Sequence, residues 1–260
     1  MPRRELEVAV AAARAAGAVI RAIYDTPFEV RSKGHDNPVT EADLQANERV
    51  QTIIHAAFPG DGWLSEETRD NPQRLSQSRV WIVDPLDGTK EFVQHVPEFC
   101  VCISLVEQGE PIVAVSYDPI RDEVFAAERG GGTSVNGERV RVSTEANLNN
   151  ARVLASRSED KRGEWDAFKP HMRVALTGSV AFKLALVAAG RADATFSLTP
   201  KNEWDICAGT LLITEAGGRM TDRDGQPLRF NQRETIRSGL IASNGVLHTP
   251  LMALIARLSL

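Results

Sequence analysis

Val80-Trp81-Ile82-Val83-Asp84-Pro85-Leu86-Asp87-Gly88-Thr89 runs from four consecutive apolar residues straight into two carboxylates, a glycine and a hydroxyl. The apolar run predicts a strand covered on both faces, and the C-terminal mouth of such a strand is where α/β proteins place ligands. Two aspartates three positions apart repel each other unless a proton or a cation lies between them. Carboxylate oxygens with a backbone carbonyl suit magnesium, and Gly88-Thr89 can offer N–H groups and a hydroxyl to a phosphate.

The flanking segments divide into two kinds. Upstream, Leu6, Val10, Ala13, Gly17, Ile20 and Tyr24 form one helical stripe, with Glu7, Arg14 and Arg21 on the polar face. A second helix is expected from the Thr40 cap to about Ala57, because Asn37-Pro38-Val39 forbids an earlier start and Pro59-Gly60 ends it. Trp63 to Glu67 reads as a short extended piece ending in acid, and 69–78 as a polar loop. Downstream, Cys100–Glu107, Pro111–Asp118 and Glu123–Glu128 have the spacing of an antiparallel meander. Beyond it, strands and helices alternate: strands at Arg152–Ser156, Ala192–Leu198 and Gly239–Ser243, helices at Ser179–Ala189, Ile206–Ala216 and Thr249–Leu258. The fold class is therefore α/β, with an α+β half over residues 1–148 and an α/β half over 149–260.

Bulk properties restrict the function. At 42% apolar and 25% charged, the 260-residue chain has ordinary globular usage. A formal charge of −5 argues against a nucleic-acid polymer as partner, since counterion release needs clustered Lys and Arg. The start Met-Pro-Arg-Arg-Glu lacks a secretory h-region, and no later segment reaches spanning length, so stable membrane insertion is not expected. Cys100, Cys102 and Cys207 are an odd number without metal-site spacing, which fits buried thiols in the cytoplasm.

Several acids can join the pair. Glu66 and Glu67 follow another short apolar element and could reach the same pocket, although such a pair taken alone is more often solvated surface. Asp43, the third residue of its helix, has an equally plain role in favouring the helix N-terminus. Asp205, between Trp204 and the apolar start of a helix, is expected to be partly buried and to need a partner. Ser179 is either an N-cap or a phosphate donor. His35, His55, His95, His171 and His248 share no ligand spacing and are assigned no chemistry. The motif also differs from the Asp-x-Asp-Gly-Thr of aspartyl phosphatases by one extra residue, which moves the first carboxylate to a different face of the turn and disfavours a phospho-aspartyl intermediate.

Asn37-Pro38-Val39-Thr40-Glu41-Ala42-Asp43, Ser65-Glu66-Glu67, Trp81 to Thr89, Gly178-Ser179 and Trp204-Asp205, in this order over nearly the whole chain, resemble the motif series of the inositol monophosphatase superfamily. The resemblance implies a layered αβαβα sandwich of the sugar phosphatase type and magnesium-dependent hydrolysis of a phosphate monoester. It implies that Glu66, Asp84 and the Leu86 carbonyl hold one Mg2+, that Asp84, Asp87 and Asp205 hold a second, and that a third lies near Glu66 with Asp43 acting through water. By the same resemblance Thr89, bonded to Asp43, and Glu66 orient the attacking water, and the N–H groups of Gly88 and Thr89 cradle the phosphate. Members are often homodimers and often lithium-sensitive. The chemistry is consistent: monoester hydrolysis requires up to ~10²¹-fold acceleration, and two metals roughly 3.5–4 Å apart bind both the entering and the leaving oxygen.

For the substrate, Gly88-Thr89-Lys90-Glu91-Phe92 and Asn202-Glu203-Trp204-Asp205 resemble the 3'(2'),5'-bisphosphate nucleotidase branch, which removes the 3'-phosphate of adenosine 3',5'-bisphosphate to give AMP. Inositol monophosphatases usually carry a Glu seven residues before the second-metal Asp, and here Leu198 stands there. Loss of an acid that bonds substrate hydroxyls lowers inositol affinity. Against this branch, Ser197 stands where bacterial nucleotidases tend to have Arg, and the helix after Ser179 has the spacing of the inositol enzymes. Lys90, Ser179, Lys183 and Glu203 are candidate substrate contacts, Lys183 as charge partner of a second phosphate or as a snorkelling surface lysine. An inositol or sugar phosphate phosphatase is the alternative. A catalytically silent scaffold is a more distant one, opposed by the complete acidic set.

Overall fold

The computed structural model describes residues 3–34 and 37–258. Met1, Pro2 and His35, used in the sequence reading, lie outside the described residues.

Helix α1 (Arg3–Tyr24) leads into a hairpin, β1 (Val30–Gly34) and β2 (Asn37–Thr40), that the sequence did not announce. Helix α2 (Glu41–Ala57) begins as expected, with Thr40 as cap: its hydroxyl accepts from Ala42 N, and Asp43 accepts from Thr40 N at 2.7 Å. Strands β3 (Gly62–Ser65) and β4 (Arg79–Asp87) are separated by a 3-10 turn at Pro72–Ser76 in place of the expected loop. Its Arg74 is buried and ion-paired to Asp70 at 2.7 Å. After the short α3 (Thr89–Val93) come β5 (Cys100–Glu107), β6 (Glu110–Asp118), β7 (Glu123–Glu128), β8 (Gly132–Val135) and β9 (Glu138–Val140). Strands β3 to β9 lie side by side in chain order as a seven-stranded sheet, antiparallel apart from the β3–β4 pair.

The remaining chain builds a second sheet. Its parts are β10 (Arg152–Ala155), α4 (Arg157–Lys161), β11 (Arg173–Leu176), α5 (Val180–Ala188), β12 (Ala194–Ser197), β13 (Lys201–Asn202), α6 (Glu203–Glu215), β14 (Arg219–Thr221), β15 (Ile236–Arg237), β16 (Leu240–Ser243) and α7 (His248–Leu258). The order β11-β10-β12-β16-β14 mixes parallel and antiparallel pairs, while β13 and β15 pair on their own. Helix α6 starts three residues before the expected Ile206, because Asp205 accepts from Asn202 N at 3.0 Å and closes its first turn.

Alternation along the strands explains the layering. Trp81 and Val83 of β4, Ile103 and Leu105 of β5 and Val113 and Val115 of β6 pack with α1 and α2. Val80 and Ile82, Cys100 and Cys102, and Ala114 point the other way, into a core shared with α5, α6 and residues Leu154, Leu240 and Ala242 of the second sheet. A third cluster joins the far face of that sheet to Trp165, Phe168 and α7. The result is the expected αβαβα layering, and the apolar run of β4 follows from helices on both faces of an antiparallel sheet. Among the described residues no helix is long and apolar enough to cross a membrane.

His248, at the start of α7, is buried between the Thr221 hydroxyl at 3.1 Å and the Ser243 hydroxyl at 3.2 Å. Burial, with the nearby Arg219 charge, lowers its pKa from 6.5 to about 4. The unfolded chain therefore takes up a proton before the folded one does, so this contribution to stability is present above 6.5 and lost as pH falls toward about 4. Thermal melts across that window should show a shallower acid-side fall in Tm for His248→Gln than for the parent chain, and equal slopes would refute the assignment.

Candidate active site

A local irregularity in β4 assembles the site. Asp84 pairs with Cys102 and Asp87 with Cys100, so three steps on β4 oppose two on β5. In a regular strand residues three apart face opposite sides. The bulge, at Pro85, which has no N–H to lose, returns both carboxylates to one side. The extra residue thus does not send the first carboxylate to a different face, contrary to the sequence expectation. It is what turns the Asp84 and Asp87 carboxylates to the same side of β4.

Asp84 is 1% exposed; its Oδ1 accepts from Leu86 N at 2.9 Å, while its Oδ2 is buried without a hydrogen-bond partner. Glu66, just past the end of β3, and Asp205, in the first turn of α6, bring carboxylate oxygens within 4.8 Å of one another and of Asp84. Burial, and then the charges of Glu66, Asp87 and Asp205, push the Asp84 carboxyl well above its ordinary range; burial, Asp87 and Glu66 do the same to Asp205. An orphaned buried oxygen amid convergent hard oxygen donors fits a divalent cation such as magnesium.

Asp87 stands beside this trio. Its Oδ2 accepts from the Ser179 hydroxyl and from Ala181 N, the latter at 2.6 Å, at the start of α5. Burial raises its pKa against those bonds. The Ser179 hydroxyl also accepts from Phe182 N at 2.9 Å, so Ser179 acts as N-cap and Asp87 holder while lining the cleft. The Thr89 hydroxyl donates to Asp43 Oδ1 at 2.8 Å and lies 3.2 Å from the Leu86 carbonyl. Asp43 is therefore both helix cap and Thr89 partner, with burial raising its pKa against the bonds from Thr40 and Thr89. Gly88 has φ 105°, and a Cβ there would lie 2.9 Å from Phe99 Cβ, so glycine is required at this turn.

Glu66, Asp87, Thr89, Ser179 and Asp205 line a polar cleft of about 430 Å³ together with Lys90, Lys183 and Lys201, with Asp84 and Asp43 buried behind it. Glu203 is not among them. Its carboxylate is fully buried and accepts from Asn231 N at 2.6 Å, Gln232 N at 3.1 Å and Arg237 at 2.7 Å, which corrects its expected role as a substrate contact. Two features had no readable signal. Lys33 of β1 reaches Glu66 and Glu67, each at 2.6 Å, and their charges outweigh its burial and raise its pKa. Arg157 and Gly178 N both bond Glu98, the latter at 2.6 Å, and this fixes the loop that presents Ser179.

The sequence profile of the inositol monophosphatase family matches residues 1–259, and the chain belongs to that family of phosphatases. It is 38% identical over 231 residues to Nus factor SuhB of Salmonella typhimurium, covering 85% of each chain. Against the inositol-1-monophosphatase of Mesorhizobium japonicum it is 37% identical over 233 residues, 86% of this chain and 85% of the relative. The solved inositol monophosphatase from Anabaena (Nostoc) sp. PCC 7120 superimposes with TM-score 0.82 at 32% identity, over 98% and 96% of the two chains. CysQ from Bacteroides thetaiotaomicron, a bacterial member of the same family, gives 0.77 at 30%, over 93% and 97%.

Repulsion among the buried carboxylates makes opposite predictions with and without metal. In chelator, Asp84→Asn should melt above the parent chain, since it removes a charge that lacks a partner. Magnesium at about a hundred times its dissociation constant should stabilise the parent by about 2.7 kcal/mol, roughly 5–10 °C, and the variant far less, which reverses the order. Parallel melts in chelator and in magnesium test this.

Proposed function

We propose that the chain is a magnesium-dependent phosphate monoester hydrolase whose preferred substrate is adenosine 3',5'-bisphosphate, cleaved at the 3' position to give AMP. The observation that carries the hydrolase reading is the unpartnered Asp84 oxygen inside the Glu66, Asp84 and Asp205 cluster. Glu66, Asp84 and the Leu86 carbonyl would hold one ion and Asp84, Asp87 and Asp205 another; magnesium supplies charge neutralisation on the phosphate and acidifies water.

The chain's own groups supply the rest. Thr89 donates its hydroxyl proton to Asp43, which leaves the oxygen free to accept from a water and aim it. Asp43, raised in pKa by burial, is suited to share that proton. Glu66 can accept the water's second hydrogen. The N–H groups of Gly88, the N-cap of α3, and of Thr89, its first residue, would bind phosphate oxygens. Ser179 holds Asp87 in place.

The nucleotide preference rests on the absence of an acid at Leu198 and on the cationic side chains of the cleft. Inositol 1-phosphate is the second reading, favoured by the similarity to the Mesorhizobium japonicum inositol-1-monophosphatase. Phosphate release with magnesium should be faster from adenosine 3',5'-bisphosphate than from inositol 1-phosphate, and lithium should suppress both; the reverse ranking selects the inositol reading. Thr89→Val should lower kcat by about 10²-fold or more with little change in KM. Asp87→Asn at parental activity would overturn the site.

A further inference from the structure

Of the clustered acids Glu66, Asp84, Asp87 and Asp205, the last alone comes from the second half of the chain, and it lies in the first turn of α6. Helix ends are where backbone N–H groups lack helical partners and where fraying starts. Repulsion from the neighbouring acids bears on that turn until a cation arrives. The bond from Asn202 N to Asp205 closes the turn on itself but ties it to nothing outside.

Glu203, two residues earlier, supplies the tie. Its buried carboxylate accepts from Asn231 N and Gln232 N with one oxygen each, and the second oxygen also takes Arg237 at 2.7 Å. Its own N–H donates to the Thr235 carbonyl at 2.8 Å, and β13 pairs with β15 immediately before it. Segment 231–237 is fastened in turn to the first half of the chain. Arg74, its side chain 1% exposed and paired to Asp70, donates to the Asn231 side-chain oxygen at 2.7 Å and to the Gln232 carbonyl at 3.0 Å. Arg74 belongs to the connection between β3, which leads to Glu66, and β4, which ends on Asp84 and Asp87. One series of bonds therefore runs from the helix that presents Asp205 to the connection between the other acids.

Stability alone is a weak reason for such a network, since desolvation of buried ions offsets most of their attraction. Directional bonds that converge on the turn carrying a ligand are suited instead to holding that ligand against its neighbours. We infer that Glu203 is a positioning residue: with Arg237, Asn231, Gln232 and Arg74 it locks the first turn of α6, so that Asp205 keeps its place beside Glu66 and Asp84 when a cation binds there. This rests on the reading of Glu66, Asp84 and Asp205 as a cation site.

Titration calorimetry of Mg2+ into the metal-free full chain, well below its melting midpoint, tests the inference. Asp205→Asn identifies the binding event in which that carboxylate takes part, as the one it weakens most. Arg237→Met should raise the dissociation constant of the same event by about tenfold or more, the loss expected when a group behind a ligand is removed, and Arg237→Lys should recover most of it. The direction separates positioning from charge: deleting a positive group tightens cation binding through the field alone, whereas a loosened Asp205 weakens it. Arg74→Met should act in the same direction through Asn231 and Gln232. Circular dichroism on the same samples reports folding, and Arg237→Gln, a milder change with the same expected direction, serves if the Met variant does not fold. Unchanged or tighter binding in the Arg237 and Arg74 variants overturns the positioning role while the cation site stands. No Mg2+ binding by the parent, or parental binding in Asp205→Asn, overturns the site reading and the positioning role together.

Discussion

Mutual repulsion of buried carboxylates is the constraint around which the rest of the molecule is arranged. Asp84, Asp87, Glu66 and Asp205 come from three separate chain segments and meet at the floor of the cleft, with Asp84 fully buried and the other three partly so. Without a cation, burial and then the charges of the neighbouring acids raise the pKa of Asp84 and of Asp205, and Asp84 keeps an oxygen with no partner at all. The scaffold must therefore hold in place groups that push apart. It does so with directional bonds behind each acid: Leu86 N to Asp84, Ser179 and Ala181 N to Asp87, and Asn202 N to Asp205. These bonds stabilise the charged form and orient it, and a metal removes the residual conflict.

The layered architecture makes those bonds possible. Helices α5 and α6 lie between the two sheets, so their N-termini arrive at the end of β4 from the second half of the chain while their sides fill a core common to both sheets. Moving Asp205 or Ser179 by even one helical turn would require repacking that core. The site inherits its rigidity from apolar contacts that take no part in the chemistry.

Legibility varied with the range of the interaction. The β4 strand, the Thr40 cap, the meander and the acids Glu66, Asp84, Asp87 and Asp205 were readable because each depends on local periodicity or on a short motif. Asp43 could be read two ways from sequence; its Oδ2 caps α2, and its Oδ1 takes the Thr89 hydroxyl that the resemblance implies. Glu203 misled because an acid beside a motif acid looks functional, yet α6 turns it inward to Asn231, Gln232 and Arg237, residues some thirty positions away. The partners Lys33 with Glu66, Arg157 with Glu98, and Lys201 with Glu159 had no signal, because they join segments whose proximity exists only after folding.

By itself the sequence determined the type of chemistry: an apolar strand cannot end on two aspartates without a counter-charge, and oxygen-rich donors without histidine or cysteine select a hard cation. It also determined the fold class, an α+β half followed by an α/β half, while the order of layers was implied only by the resemblance of its motifs. Only the tertiary structure decided that Asp84 and Asp87 face the same way, because a single bulged residue reverses the pleat. It likewise decided which of the neighbouring charges are buried in the scaffold, as Glu203 is, and which line the cleft, since burial and pairing are properties of groups distant in the chain and adjacent in space.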